Sequence, residues 1–176
     1  MSPLFERDDL VDGLTELATA LADDGVSATL RVVGGAALAL HHMDRGVTAD
    51  IDALLYGDGE AVRHHVTRIA RTRGWPEDWL NDAVKAYLPL SGDPEWIQIL
   101  VRDDVRVFVA PADMLLAMKL NAARGRRDST DIAHLLDACS IRSVEAAEAL
   151  FERYYPGEAM KERALADLTS RFTREN

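Results

Sequence analysis

Between residues 8 and 23, apolar side chains return every three or four positions. Leu10, Val11, Leu14, Leu17, Ala18 and Leu21 form one face, and acids fill the other. That period predicts an amphipathic helix, ended by Asp23, Asp24 and Gly25. Thr29 to Val33 reads as a short strand running into Gly34-Gly35, and Ala36 to His42 as a short helix. Ala49 to Leu55 is a second strand, closed by Tyr56, Gly57 and Asp58. A helix from Glu60 to Arg73 turns Val62, Val66, Ile69 and Ala70 inward, and Gly74 closes it. Pro76 is expected to open a short helix through Trp79 and Val84. Trp96–Val101 and Val105–Ala110, split by Arg102, Asp103 and Asp104, form a β-hairpin pattern.

After Pro111 the chain changes character. Ala112–Ala123, Thr130–Cys139, Val144–Tyr154 and Glu158–Phe172 all read as helices. A mixed α/β core, residues 1–110, followed by a helical C-terminal portion, residues 111–176, is the expected organisation, in the α+β class.

The chemistry gathers around the first two strands. Asp50 and Asp52 are two apart on the expected strand, so both point to one face while Ile51 and Ala53 face a core. Adjacent carboxylates repel unless a cation neutralises them. Hard divalent ions such as Mg²⁺ favour oxygen ligands and keep sites open for substrate phosphates. Gly34-Gly35 stands where a strand turns into a helix. Glycines let backbone approach a ligand closely, and free N–H groups there suit an anion. Each motif alone is commonplace, the glycines as a turn and the acids as a solvated strand face. In this order they suggest a site for a nucleoside triphosphate and a metal.

Composition narrows the setting. The chain has 176 residues and is 48% hydrophobic, which suits a folded domain and argues against disorder. No uninterrupted apolar run spans a membrane, and the N-terminus lacks the pattern of a secretory signal, so a cytoplasmic protein is expected. Cys139 is the single cysteine, which excludes an intramolecular disulfide and a cysteine-built zinc site. Thirty acids against twenty basic residues give a net charge of −10. That balance argues against a protein coated with nucleic acid. Its distribution softens the conclusion. Residues 1–26 hold seven acids and one arginine, whereas positive charge gathers at Arg63–Arg73 and Lys119–Arg127. A short nucleic-acid end entering one basic groove remains compatible with the charge.

Lys119, one of three lysines, lies in the apolar helix Leu115–Leu120. It either snorkels to the surface or offers a point charge to a triphosphate. Arg124, Arg126, Arg127, Asp128 and Asp131 follow, either as a polar helix connection capped by Asp128 or Ser129, or as a basic rim beside a carboxylate. Arg63, Arg68, Arg71 and Arg73 mark one helix face, either solvated or in contact with an RNA backbone. His41-His42 and His64-His65 lack the spacing of a shared metal site. Trp75, Trp79 and Trp96 read as core or anchor residues rather than base-stacking platforms.

The string GGAALALHHMDRGVTADIDALL resembles the signature of polymerase-β-like nucleotidyltransferases. With WLNDAVKAYLP and LLAMKLNAARGRRDSTDIAHLL it resembles more narrowly the AbiEii/MenT-like toxins of bacterial toxin–antitoxin systems, over roughly residues 25–140. The resemblance implies a small mixed sheet flanked by helices, with a helical C-terminal portion. It implies that Gly34 and Gly35 shape the triphosphate turn and that Asp50 and Asp52 bind Mg²⁺. It puts Arg45 and Thr48 beside the triphosphate, Lys119 on the nucleotide phosphates, and Asp131 in the role of a distal catalytic carboxylate. The implied reaction moves a nucleoside monophosphate from an NTP to an acceptor, in this branch the tRNA 3′ end, and an antitoxin protein is an implied partner. One departure is visible. Many polymerase-β-like enzymes carry a third acid on a later strand, and Trp96–Leu100 has none. Two rival expectations stand beside the toxin: a transferase acting on a small molecule or protein, and a non-catalytic nucleotide-binding domain.

Overall fold

A computed structural model describes residues 4–43, 46–89 and 91–174. It divides into two compact units, Met1–Ala86 with Trp96–Ala110, and Tyr87–Glu95 with Pro111–Asn176. The segment before the hairpin thus groups with the C-terminal helices.

The first unit is a five-stranded mixed sheet with helices. Helix α1 (Arg7–Asp23) leads into β1 (Ala28–Val32), α2 (Gly34–Ala37), β2 (Ile51–Gly57), α3 (Gly59–Arg73), β3 (Leu80–Asn81), β4 (Ile97–Arg102) and β5 (Val105–Val109). The strand order is β3-β2-β1-β5-β4. Strand β1 runs antiparallel to β2 and parallel to β5, while β4 and β5 form the expected hairpin. Alternation along β1 and β5 buries Leu30, Val32, Val105, Val107 and Val109 on one face. Helix α1 packs against that hairpin and against α3, placing Leu10, Leu14, Leu17 and Leu21 in the core. Asp58 caps α3 by accepting from the Glu60 and Ala61 N–H groups, and Gly74 ends it in the left-handed conformation.

Two local readings need correction. Pro76 does not open a helix: a turn leads to β3, and a single 3₁₀ turn, Ala83–Ala86, follows. Pairing with the edge of β2 wins over the weak local helix signal, and Trp79 is held by donating its indole N–H to the Val66 carbonyl at 3.0 Å. The helix expected over Ala36–His42 begins at Gly34 and widens into a π turn from Leu38 to His42.

The second unit is built on α4 (Ala112–Ala122), α5 (Arg126–Ala138), α6 (Val144–Tyr154) and α7 (Glu162–Arg174). Helix α7 starts four residues later than the periodicity predicts, after the Pro156-Gly157 turn. Leu115, Leu116 and Leu120 of α4 and Leu135 and Leu136 of α5 are buried. The Gly92 backbone lies against the Tyr154 ring, and the Tyr155 hydroxyl donates to the Tyr87 carbonyl at 3.1 Å, tying segment 87–95 to α6.

A buried ion network joins α4 to α5. Lys119, only 7% exposed, donates to Asp128 Oδ1 at 2.8 Å and to Asp131 Oδ2 at 2.7 Å. Arg124 donates from its backbone and its guanidinium to Asp128. Asp128 does not cap α5: Gly125 occupies the N-cap, with no side-chain capping bond, and Asp128 is fully buried. Burial pushes the Asp128 carboxyl up, but the hydrogen bonds and charges of Lys119 and Arg124 outweigh it and hold the group below the ordinary carboxylate range.

Asp128→Ala is therefore expected to lower unfolding free energy by about 3 kcal/mol, the low end for breaking a buried pair, since Asp131 still faces Lys119. Urea unfolding checks it, and a loss below about 0.5 kcal/mol would contradict the network's structural role. A carboxyl depressed on folding contributes stability above its unfolded pKa, near 3.8, and loses it as pH falls through the lower folded value. Wild type should accordingly lose more stability than Asp128→Ala between pH 5 and acid extremes, read as converging melting temperatures.

Candidate active site

The first unit gathers the glycine pair, the carboxylates and Thr48 at one end of its sheet. The Val33 N–H donates to the Asp52 carbonyl at 2.9 Å, extending the β1–β2 ladder by one bond beyond the strand. The chain then turns at Gly34 with φ +65°, a conformation that favours glycine. A Cβ on Gly34 would stand 3.5 Å from Asp52 Oδ2, so the turn lies directly beside that carboxylate. A Cβ on Gly35 would approach Thr48 Oγ1 to 2.9 Å, closer than side chains pack, so Thr48 occupies the space that glycine leaves. Thr48 is itself fixed twice: its hydroxyl donates to the Asp50 carbonyl at 3.1 Å, and its backbone exchanges two hydrogen bonds with Phe5.

The carboxylates are placed differently from each other. Asp52 lies within β2, whereas Asp50 occupies the bend just before the strand begins at Ile51. Asn81 links them. It is the register partner of Asp52 on β3, and its side-chain amide donates to Asp50 Oδ2 at 3.2 Å. Register partners share a sheet face, so both acids and Asn81 stand on one side. Sequence reading missed Asn81 because a helix was expected there. The available signal was the Trp79-Leu80 pair, whose apolar run stops after two residues and has no helical continuation.

The donor set suits a hard divalent cation. It consists of two carboxylates on one face, with the Gly34 turn beside Asp52. Among the described residues no cluster of three histidine, cysteine or acidic groups that could hold a metal ion is found. Strands β5 and β4 carry Phe108 and Gln98 opposite Arg31, which aligns with Leu54 on the face of Asp52, and no third acid stands there.

The other candidates are distributed as follows. Lys119 and Asp131 belong to the second unit, within the Asp128 network described above. Arg45 lies outside the described residues. His41 is exposed, and the His42 imidazole donates to the Ala110 carbonyl at 2.8 Å. His65 is buried and donates to Asp24 at 2.8 Å. Trp79 is core and Trp75 meets it edge-on, whereas Trp96 stacks on Arg31. Burial pushes the Cys139 thiol up to about 11, which disfavours the thiolate needed for a nucleophile.

Helix α3 does present a basic face. Arg63, Arg68 and Arg71 line a shallow groove of about 610 Å³ with His64 and Thr67. A second groove of about 290 Å³ shares Arg63 and Thr67 but is acidic toward its other end, where Glu77, Asp78 and Asp82 flank Asn81. Arg73 turns away, donating to Glu16 at 2.7 Å and stacking on Trp75.

Within the described residues no helix is long and apolar enough to cross a membrane. No curated protein and no solved structure matches the chain. The family DUF6036, described as a nucleotidyltransferase of unknown function, matches residues 10–170. The chain belongs to the DUF6036 family of nucleotidyltransferases.

Proposed function

We propose that the protein transfers a nucleoside monophosphate from an NTP to the 3′ end of a tRNA, and acts in the cytoplasm as a toxin opposed by a partner antitoxin. Membership of a nucleotidyltransferase family supports an NTP substrate. The tRNA acceptor and the toxin role extend the resemblance of the glycine–aspartate string to the AbiEii/MenT-like branch. The observation that carries the chemistry is the placement of the Gly34 turn beside Asp52, where a Cβ at Gly34 would stand 3.5 Å from Oδ2.

In this reading Asp50 and Asp52 hold Mg²⁺, and the Gly34-Gly35 backbone with Thr48 receives the triphosphate. Arg45 is proposed to lie beside it. Bound Mg²⁺ would supply charge neutralisation of the phosphates and a lowered pKa for the attacking hydroxyl. Asn81 holds Asp50 through Oδ2, which leaves its Oδ1 for a ligand. The acceptor hydroxyl oxygen bonds to the α-phosphorus as the bond from that phosphorus to the pyrophosphate oxygen breaks. Pyrophosphate leaves, the hydroxyl proton passes to solvent, and the nucleotide stays on the acceptor. Arg63 and Arg68, with His64 on the exposed face of α3, support a polyanionic acceptor.

Lys119 and Asp131 are proposed on the same resemblance alone, as a phosphate contact and a distal carboxylate; in the second unit Lys119 is buried and paired with Asp128 and Asp131. Asp131 is a quarter exposed while Asp128 is sealed, which supports a functional part for Asp131 and a structural one for Asp128.

Incubation with each α-³²P-labelled NTP and total tRNA, followed by 3′-end sequencing, tests the reaction. Label should appear at tRNA 3′ ends, and Asp52→Asn should reduce it at least 10³-fold, about 4 kcal/mol of lost stabilisation. Full transfer by Asp52→Asn would remove the metal assignment, and label on protein or small molecules alone would redirect the acceptor.

Asp131→Asn is expected to lower transfer at least tenfold while lowering the melting temperature less than Asp128→Ala does. A variant that melts early and retains activity per folded molecule would make Asp131 structural.

A further inference from the structure

Arg31 is an arginine in the middle of a central strand, and its surroundings do not explain it as a structural charge. Its register partners are Leu54 on β2 and Phe108 on β5. Leu54 lies two residues beyond Asp52, so Arg31 and Asp52 share one sheet face. This face is less covered than the opposite one: Thr29, Arg31, Leu54 and Phe108 are half-buried, whereas Leu30, Ala53 and Val107 are sealed. Arg31 forms no salt bridge among the described residues. Its Nε is buried and has no hydrogen-bond partner.

Two aromatic rings hold the guanidinium. Its central carbon is 5.1 Å from the centroid of Tyr56 and 5.0 Å from that of Trp96. Tyr56 comes from β2 on one side of β1, and Trp96 comes from the start of β4, beyond β5 on the other side. Cation–π contact with both rings holds the guanidinium, while its Nε–H has no partner. A guanidinium fixed in this way is preorganised for an oxyanion, which its terminal N–H groups can meet with two hydrogen bonds.

The position relates this arginine to the acids. Asp52 pairs with Val33, two residues along β1 from Arg31, a separation of about 7 Å along the strand. That offset suits a phosphate next to the reacting one, not the reacting phosphate itself. We infer that Arg31, clamped between Tyr56 and Trp96, is a phosphate-binding residue for the substrates of this site. The phosphate belongs either to the nucleotide or to the backbone of the acceptor strand. The inference rests on reading Asp50 and Asp52 as the transfer site, and its test separates the two.

Binding is measured by intrinsic fluorescence, with Trp96→Phe identifying the Trp96 signal, and confirmed by calorimetry. One arm uses an α,β-methylene NTP with Mg²⁺. The other uses a single-stranded oligoribonucleotide of eight residues across a series of salt concentrations. Arg31→Met should weaken one ligand at least tenfold, and the affected arm names the source of the phosphate. In the oligonucleotide arm, loss of one contact should also reduce the slope of log K against log salt by about one. Arg31→Lys, which keeps charge but loses the fork, should fall between the two. Melting temperatures accompany every titration, and Arg31→Lys carries the test if Arg31→Met does not fold. Wild-type affinity of a folded Arg31 variant for both ligands would overturn the inference, even where Asp52→Asn abolishes transfer. Arg31-dependent binding in a protein that transfers no label would uphold it and overturn the transfer reading instead.

Discussion

The close approach of the Gly34-Gly35 turn to the start of β2 is the constraint on which the site depends. Strand β1 pairs antiparallel with β2, and one further hydrogen bond carries the ladder from Val33 to Asp52. The next residue must turn in a conformation that favours glycine, and the one after it must leave room for Thr48. Phe5 then pins Thr48 from the N-terminal segment. Sheet register, turn and carboxylate position are thus one arrangement. A larger side chain at Gly35 would meet Thr48 and disturb the backbone that carries Asp50.

The acids of this protein serve two different ends. Asp128 is sealed and fully compensated by Lys119 and Arg124, so its charge holds α4 to α5. Such a group is costly to disturb and poorly placed to meet a ligand. Asp50 is only half-buried, and a neutral amide from Asn81 orients it without cancelling its charge. A carboxylate oriented beside the glycine turn suits a cation delivered with substrate. The net charge of −10 therefore says little about partners until each acid is located. In the acidic N-terminal region, Glu16 pairs with Arg73 and Asp24 with His65.

Much of this was legible in the sequence. The helical period of α1 and α3, the hairpin and the glycine–aspartate string are strong local signals, and each corresponds to an element or a contact in the structure. Three features were not legible. Strand β3 has two residues and no periodicity, so its pairing with β2 depends on tertiary contact alone, and Asn81 was lost with it. An aspartate in a helix's first turn looks like a solvated cap, and only packing reveals that Asp128 is buried. Arg31 fits the polar alternation of a half-exposed strand, and its meaning comes from rings far away in sequence, Tyr56 and Trp96.

The central claim is that Asp50 and Asp52 carry a metal–nucleotide complex beside the glycine turn. Its most direct test is a manganese titration followed by electron paramagnetic resonance, with a non-hydrolysable NTP present, on wild type and on the Asp50→Asn/Asp52→Asn double variant. The account predicts that wild type withdraws Mn²⁺ from the free signal in the presence of nucleotide, while the folded double variant leaves it free. Equal manganese–nucleotide binding by the two proteins would contradict it.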